Sequence, residues 1–438
     1  MFKTIAAAFK DKAIRKGIII TILLLLVFRL GCYLPIPGID TTVFKEVGTS
    51  GGILSLLNTI TGSALANGSF LALSVTPYIN ASIIIQLLTV AIPPLERMSK
   101  DGDEGQKKIA TITKYVALVL AIAQSIGIVL GFKNLGSGLL DLTLFGAKTP
   151  SWVVSIYVIV MLVAGSCFTM WLGDRITDQK IGNGVSLLIF VGILASAGLA
   201  LVSAFSKVFK GNLNALWEII GFLALVVLIF ALIVFVDLSE RKIPVQYAKQ
   251  VKGRKMYGGQ SSYIPLKVNA GGVMPIIFAT AIISFPSMIM QIAGVTAKTS
   301  KFAAFYYKWL GTGTVTYVIF VGLLILAFSF FYAQIMFNPV DVSQRIQQNG
   351  GFIPGIRAGK PTAEYLGRVN KRLTLFGAIF LAFIATIPSI VFSLITPDTP
   401  ELINAFTATG MLIVVSVAIE FQQALDSQIM MKRHKNIL

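Results

Sequence analysis

Few side chains in this 438-residue chain have the types and spacing that catalysis or metal binding requires. The single histidine, His434, lies in a charged tail, and the two cysteines are Cys32 and Cys167. A Ser-His-Asp triad needs a histidine beside its nucleophile, and neither the phosphate-binding motif GxxxxGK[ST] nor the zinc motif HExxH occurs. We therefore expect no catalytic site, no cofactor, no metal and no disulfide.

The composition is that of an integral membrane protein. Hydrophobic residues make up 55% of the chain and charged residues only 13%, against about 25% charged residues in a soluble domain. A membrane-spanning helix takes about 20 apolar residues. On this basis the sequence predicts ten spans: Ile18–Tyr33, Phe70–Val90, Thr111–Phe132, Trp152–Leu172, Val185–Val202, Ala215–Val236, Gly271–Ile292, Val315–Phe337, Leu373–Ile395 and Phe406–Leu425.

Positive charge is distributed unevenly between alternate connections. Of the 37 Lys and Arg residues, 28 lie in or beside the two tails and the even-numbered connections, and 8 lie in the odd-numbered connections. The positive-inside rule then places both termini in the cytoplasm, which requires an even number of spans. This bias explains most of the net charge of +18. The basic cytoplasmic surface that remains suits anionic lipid or a protein partner.

Two predicted spans share the frame Val-x-Pro-x-Ile-x-Ala. Its copies lie 198 residues apart, in spans 2 and 7: Val75, Pro77, Ile79 and Ala81, then Val273, Pro275, Ile277 and Ala279. Ten spans divide into two halves of five, so each copy falls in the second span of its half. Because five is an odd number, the two halves enter the membrane from opposite sides, as in an inverted repeat. A proline costs little at a helix start but breaks a backbone hydrogen bond deep in a span. The frame therefore predicts that two helices begin or break at membrane depth, either inside the protein or facing a water-filled cavity. The alternative is a chance similarity of two apolar strings that contain proline.

Ionisable residues are scarce at the centres of the predicted spans. Arg29 and Glu420 lie near span ends, and Glu218 and Asp237 flank span 6. A coupled transporter usually needs a carboxylate at the midplane, so a small-solute transporter is disfavoured relative to a channel, although a sodium site built from carbonyls stays compatible. A structural membrane scaffold is a third alternative. The polar residues left near a pathway are Gln86, Asn183 and Asn269.

Three segments outside the spans have distinct patterns. Gly51–Ser69 is moderately apolar and rich in small residues, which fits a surface helix and a re-entrant segment equally well. Asp237–Asn269 has strand-like ends, which predict a β-hairpin with the basic tip Lys252–Gly259. Asn338–Arg372 contains a loop rich in Gly and Pro that carries Arg357. The length of both loops favours partner docking over a merely solvated surface.

Long motifs along the whole chain resemble the SecY family of protein-conducting channel subunits. They include VFRLGCYLPIPGID from Val27 to Asp40, TPYINASIIIQLL from Thr76 to Leu88, and WLGDRITDQKIGNGVSLLIF from Trp171 to Phe190. The resemblance implies an all-α integral membrane fold with ten transmembrane helices, in two inverted five-helix halves around a central pore, and a short re-entrant plug helix. Two residues depart from the pattern, since Ser74 stands where the family usually has glycine and Lys180 stands where it often has glycine.

The resemblance also assigns site residues by motif. It implies an apolar ring at the waist of the pore, formed by Val75, Ile79, Val185, Ile189, Ile277 and Ile413. It makes the segment 51–69 the plug, with the apolar residues Ile53, Leu54, Leu56, Leu57, Ile60 and Leu65. Gln86 and Asn269 become lateral-gate residues. Arg254, Lys255 and Arg357 become contacts for SecA or the ribosome.

By the same resemblance, unfolded secretory polypeptides pass through the pore, and transmembrane segments leave into lipid through the lateral gate. The chain is expected in the bacterial cytoplasmic membrane, as a channel driven by a partner ATPase or the ribosome. The implied partners are the SecE and SecG subunits, the SecA motor ATPase, the ribosome, signal sequences, nascent polypeptides and anionic membrane lipid. The expected divisions are a cytoplasmic tail at 1–17, a half at 18–202 with the plug, a half at 203–425 with cytoplasmic loops at 237–269 and 338–372, and a cytoplasmic tail at 426–438.

Overall fold

The computed structural model describes residues 9, 11–37, 39, 64, 67–134, 150–209, 213–247, 250–252, 255–257, 261–269, 271–292, 301–310, 314–395, 402 and 407–435. These residues are mainly helical. The helices up to residue 209 are α1 (Lys12–Gly31), α2 (Thr76–Ala91), α3 (Pro93–Lys100), α4 (Gly102–Asn134), α5 (Ser151–Thr177) and α6 (Gly184–Phe209).

Seven helices and five short strands make up the rest of the described chain. The helices are α7 (Leu213–Asp237), α8 (Met274–Ile292), α9 (Lys301–Leu310), α10 (Val315–Met336), α11 (Pro339–Gln348), α12 (Lys360–Ile395) and α13 (Ala408–Lys435). The strands are β1 (Glu240–Tyr247), β2 (Gln250–Lys252), β3 (Lys255–Tyr257), β4 (Ser261–Lys267) and β5 (Gly351–Phe352).

Each of the ten predicted spans coincides with one of the helices α1, α2, α4, α5, α6, α7, α8, α10, α12 and α13. Seven of these are long and apolar enough to cross a membrane. An eighth candidate is α2 together with α3, which are bent by 106° relative to each other. The apolar part of α8, Met274–Ile283, is shorter than a full span. Helix α1 is continuous but contains the charged residues Arg15, Lys16 and Arg29. The chain is therefore a multi-pass membrane protein of the expected all-α class.

Some predicted boundaries and elements were wrong. Span 2 was expected from Phe70, but α2 begins at Thr76, because residues 71–75 form consecutive turns. The short helices α3, α9 and α11 were not predicted. The basic tip Lys252–Gly259 of the predicted hairpin contributes Lys252 and Lys255–Tyr257 to a second antiparallel ladder, which was not predicted and in which Gln250 pairs with Tyr257.

Packing divides the chain into two compact units. One comprises Met1–Ile219, Ala281–Tyr317 and Ile395–Leu438, and the other comprises Ile220–Thr280 and Val318–Leu394. Within the first unit, α2 packs on α4, α4 on α5, α5 on α6, and α6 on both α1 and α13. Helix α6, which carries two predicted ring residues, therefore contacts three other helices of its unit.

The first unit closes around the turn between α5 and α6. Ile181 in this turn is fully buried with Ile14 and Ile18 of α1 and Leu425 of α13. A β-carbon on Gly17 would lie only 2.9 Å from Ile181 Cδ1, so α1 approaches the turn closely. Gln428 Nε2 of α13 donates a hydrogen bond of 2.5 Å to the Lys180 carbonyl oxygen. One turn thus binds the N-terminal and the C-terminal helix together.

The second unit contains the predicted β-hairpin. Strand β1 pairs antiparallel with β4, in the register that places Ile243 opposite Ile264, and β5 extends the sheet on the other edge of β1. Alternate residues of β1, Ile243 and Val245, point to one face. That face is covered by α11 and α12, and the buried cluster consists of Ile243, Val245, Leu266, Ile346, Ile353 and Leu366. The cytoplasmic loops predicted at 237–269 and 338–372 therefore share one hydrophobic core.

Candidate functional site

The first copy of the repeated frame begins α2 by an irregular turn. Ser74 has a φ of 47°, in the left-handed region. Its amide donates to the Leu71 carbonyl (2.9 Å), and the Thr76 amide donates to the Leu73 carbonyl (3.1 Å). Pro77 occupies the first turn of the helix, where its missing N–H needs no partner. The first hydrogen bond of the helix joins the Ile79 amide to the Val75 carbonyl (3.0 Å).

The second copy begins α8 with the same backbone structure, 198 residues later. Gly272 has a φ of 58°. Its amide donates to the Asn269 carbonyl (3.4 Å), and the Met274 amide donates to the Gly271 carbonyl (3.3 Å). The Ile277 amide then donates to the Val273 carbonyl (3.2 Å). The sequence repeat is therefore a repeat of structure, and Ile79 and Ile277 occupy equivalent positions.

A glycine in another helix packs beneath each of these turns. On α5, a β-carbon at Gly165 would lie 1.8 Å from the carbonyl oxygen of Phe70. On α12, a β-carbon at Gly377 would lie 2.5 Å from the carbonyl oxygen of Val268. Phe70 and Val268 are again 198 residues apart. Helices α5 and α12 correspond to predicted spans 4 and 9, so the repeat includes a contact from the fourth span of each half.

The turn between α5 and α6 positions two further predicted ring residues. The backbones meet at two glycines, since a β-carbon on Gly184 would lie 2.0 Å from the Gly173 carbonyl oxygen. The Gly184 amide donates to Thr177 Oγ1 (2.9 Å). Asn183 caps α6, because its Oδ1 accepts from the Val185 amide (3.0 Å) and the Ser186 amide (3.4 Å). Asn183, noted in the sequence as a polar group near a pathway, therefore has a structural role.

Both residues that depart from the family pattern have left-handed backbone. Ser74 has a φ of 47° and Lys180 a φ of 60°. Glycine adopts this region without strain, whereas a side chain costs about 1–2 kcal/mol there. The strain is a physical reason why glycine would suit these two positions better than serine or lysine.

Replacing Lys180 by glycine should therefore stabilise the protein by about 0.5–1 kcal/mol, after the greater entropy of glycine in the unfolded chain is subtracted. The side chain is exposed, and the bond from Gln428 uses the Lys180 carbonyl, so both variants keep that contact. The measurement is thermal unfolding in detergent in a Cys167→Ser background, followed by a thiol-reactive dye that reaches the buried Cys32 only on unfolding. Lys180→Ala is the control, because it removes the charge but keeps the β-carbon. Equal stabilisation by alanine would show that backbone strain is not the cause.

The structure describes all six predicted ring residues. Val75 is fully buried, and Ile189 and Ile413 are 6% and 8% exposed. Ile79, Val185 and Ile277 are partly buried. Helix α13 packs on α6 near Ile413, because a β-carbon on Gly410 would lie 3.3 Å from a side-chain carbon of Ile193. Five of the six residues belong to the first unit, and Ile277 belongs to the second.

The other predicted site residues are described less completely. The six plug residues and Arg254 lie outside the described residues, and Lys255 is described only through its pairing with Lys252 in the ladder of β2 and β3. Arg357 is exposed in the loop after β5. Gln86 is partly buried on α2. Asn269 is 7% exposed, and its Nδ2 donates to Asp237 Oδ1 at the end of α7 (2.8 Å).

Sequence reasoning missed the ion pair that joins α4 to α5. Lys114 Nζ lies 2.7 Å from Asp174 Oδ2, and both side chains are nearly half exposed. An exposed pair of this kind contributes about 0–1 kcal/mol, so it adds little to the packing of α4 on α5. The partners are 60 residues apart, and no local pattern links them. Among the described residues, no three His, Cys, Asp or Glu side chains come close enough together to hold a metal ion.

Comparison with known proteins gives full-length similarities. A sequence model of the SecY family matches residues 69–422. The "Protein translocase subunit SecY" of Streptomyces coelicolor is 39% identical over 446 aligned positions, which cover the whole of both chains.

Two solved structures are similar in fold. One is a structure of a SecY protein whose plug domain stabilises the closed state of the translocation channel and maintains a membrane seal. Its TM-score is 0.64 at 18% sequence identity, and the match covers 92% of this chain and 90% of that structure's chain. The other is Sec61 in the canine ribosome-channel complex from the endoplasmic reticulum, with a TM-score of 0.61 at 17% identity, covering 93% and 90%. The family match over residues 69–422 and the full-length relative at 39% identity show that the chain belongs to the SecY family.

Proposed function

We propose that this chain is the channel subunit through which unfolded secretory polypeptides cross the bacterial cytoplasmic membrane. The observation that carries the proposal is the 39% identity, over the whole of both chains, to a protein named as a translocase subunit. The similar fold of a translocation channel supports it. Transmembrane segments of nascent proteins leave the same channel sideways into lipid.

The seal of the proposed pore is the ring of Val75, Ile79, Val185, Ile189, Ile277 and Ile413. Branched aliphatic side chains form no hydrogen bonds with water or ions, so a narrow ring of them resists wetting. An extended polypeptide of any sequence meets no strong binding site there. The equivalent positions of Ile79 and Ile277, each in the first turn of a helix that begins with the same backbone structure, support this assignment.

The plug and the lateral gate belong to the same proposal. The segment 51–69 closes the outer funnel through Ile53, Leu54, Leu56, Leu57, Ile60 and Leu65, and its small residues suit a segment that packs and leaves. A SecY protein of similar fold has a plug domain that maintains a membrane seal. The gate lies between spans 2 and 3 on one side and spans 7 and 8 on the other, with Gln86 and Asn269 as its polar residues.

The basic cytoplasmic loops bind the motor ATPase SecA or the ribosome through Arg254, Lys255 and Arg357. For Arg357, the loop backbone is anchored at two points. Thr362 Oγ1 donates to the Arg357 carbonyl (2.8 Å), and Ser343 Oγ donates to the Gly359 carbonyl (2.7 Å). The guanidinium is exposed, so a fixed backbone presents a group that can contact carboxylate or phosphate through two parallel hydrogen bonds. A ribosome-channel complex exists for a protein of similar fold.

The remaining parts of the proposal concern the assembly. SecE and SecG are the companion subunits, signal sequences open the gate, and anionic lipid contacts the basic surface. A partner ATPase or the ribosome supplies the energy, since the sequence contains no phosphate-binding loop. Both termini face the cytoplasm, with tails at 1–17 and 426–438, and the two inverted halves are 18–202 and 203–425.

The test is site-specific photocrosslinking to a secretory chain stalled in mid-translocation. Photoreactive residues replace Ile79 and Ile277. Val160, which is 58% exposed on α5 and lies outside the predicted ring, serves as a lipid- or packing-facing control. We expect crosslinks from both ring positions and none from Val160. A stalled chain that is confirmed independently and yet crosslinks to neither ring position would show that the ring assignment is wrong.

A further inference from the structure

A small cavity lies beside the turn that begins α8. Its volume is about 10 Å³, which is at the lower limit for one water molecule. Asn269, Gly271 and Pro275 line it from the turn and the start of α8, and Ser329 lines it from α10. Thr374 and Ala378 line it from α12. The cavity therefore lies where three elements of the second unit meet.

A buried hydroxyl group on the cavity wall lacks a protein partner. Ser329 is 5% exposed, and none of the described residues forms a hydrogen bond with its Oγ atom. Burying a hydroxyl without a hydrogen bond is unfavourable, so most such groups are paired with protein or with ordered water. A cavity lined by several polar residues gives this hydroxyl access to a water molecule.

The first copy of the repeat shows what the second copy lacks. In the first copy, Ser166 follows Gly165 on α5, and its Oγ donates to the Ser74 carbonyl (3.4 Å). In the second copy the residue after Gly377 on α12 is Ala378, which has no hydroxyl and lines the cavity. A direct hydrogen bond from helix to turn is thus replaced by a methyl group and a water-sized space.

We propose that one water molecule binds in this cavity and joins α10 and α12 to the turn before α8. Its partners are the Ser329 hydroxyl, the Thr374 hydroxyl and backbone groups of the turn. Buried waters typically form about three hydrogen bonds to groups of this kind. The turn carries the left-handed Gly272 and leads directly to Ile277, so the water stabilises the start of α8. The water site does not depend on the proposed translocation function.

The first test is an experimental map of the full complex in lipid nanodiscs, at a resolution that shows ordered water. We expect density in the cavity at about 2.7–3.0 Å from Ser329 Oγ. The proposal is overturned if the Ser329 hydroxyl instead turns to the Ile325 carbonyl of its own helix and the cavity holds no density. It is also overturned if the density disappears when sodium is replaced by choline, since the occupant is then a cation.

The second test uses the sign of a stability change. If the water is present, Ser329→Ala removes one of its partners, and the midpoint of thermal unfolding should fall by about 1–3 °C. If the hydroxyl is unpaired, the same substitution removes a buried polar group without a partner, and the midpoint should rise. The control is Ser125→Ala, because Ser125 is fully buried and donates to Ala121 within its own helix (2.6 Å). A rise for Ser329→Ala beside a fall for Ser125→Ala overturns the proposal.

Discussion

Gly165→Ala should destabilise the protein by about 3 kcal/mol or more, because the added methyl group has no space between two closely packed backbones. The new β-carbon would lie 1.8 Å from the Phe70 carbonyl oxygen and 2.6 Å from its carbonyl carbon. Contacts below 3.0 Å essentially do not occur for β-carbons, so the two backbones must separate by more than 1 Å. Neither backbone can move easily, because Ala72 and Leu73 in the turn after Phe70 are buried against Val154 and Val158 of α5.

The matched control is Gly198→Ala on α6. A β-carbon there would meet no atom within 4 Å outside its own helix. Alanine is the better helix former, so this variant should be more stable by up to about 1 kcal/mol. Thermal unfolding of both variants in the same detergent, with the Cys167→Ser background so that the dye reports on the buried Cys32 alone, gives the comparison. Similar midpoints for the two alanine variants would contradict the close packing of α5 on the turn.

The equivalent contact in the second copy provides an internal check. A β-carbon on Gly377 would lie 2.5 Å from the Val268 carbonyl oxygen, which is less severe than the clash at Gly165. Gly377→Ala should therefore destabilise the protein, but less than Gly165→Ala. The same direction of effect in the two copies is expected only if the fourth span of each half supports the same turn.

The sequence predicts the helix starts because their cause is local. A proline costs least in the first turn of a helix. Pro77 and Pro275 occupy the first turns of α2 and α8, whereas Pro286 and Pro388 lie inside α8 and α12. The strand pairing of β1 with β4 was predictable for a similar reason, since both strands show their pattern within seven or eight residues. The predicted start of span 2 at Phe70 was wrong because apolar turns and apolar helix have the same hydropathy.

Contacts between distant residues were not predictable from one sequence. Gly165 lies 95 positions from Phe70, and nothing in the string around either residue points to the other. The left-handed conformations of Ser74 and Lys180 were partly predictable, unlike the contacts between distant residues. The comparison with the family pattern identified both positions as unusual, but it could not show that a positive φ is what favours glycine there. The ring stays a prediction, because its six residues are divided between the two units.

The second large effect is expected from making the ring polar. Replacing Ile79 and Ile277 together by asparagine should raise the ion conductance of vesicles that contain the reconstituted channel at least roughly tenfold, because amide groups hydrate a narrow constriction that aliphatic groups keep dry. The control is the pair Val90→Asn and Ile282→Asn, which places the same substitutions on the same helices, α2 and α8, at exposed positions. This control should leave the conductance at the level of the unmodified protein.

The plug and the ring can be separated by repeating the measurement in a background that lacks residues 53–65. If the ring seals the pore by itself, deletion alone should leak little, and deletion combined with the asparagine pair should leak most. If the plug is the main seal, deletion alone should already reach the highest conductance, and the ring substitutions should add nothing. No conductance from any combination, in vesicles where the protein is folded and correctly inserted, would contradict a pore at this position. The repeated helix start would then serve only to pack α2 and α8 against neighbouring helices.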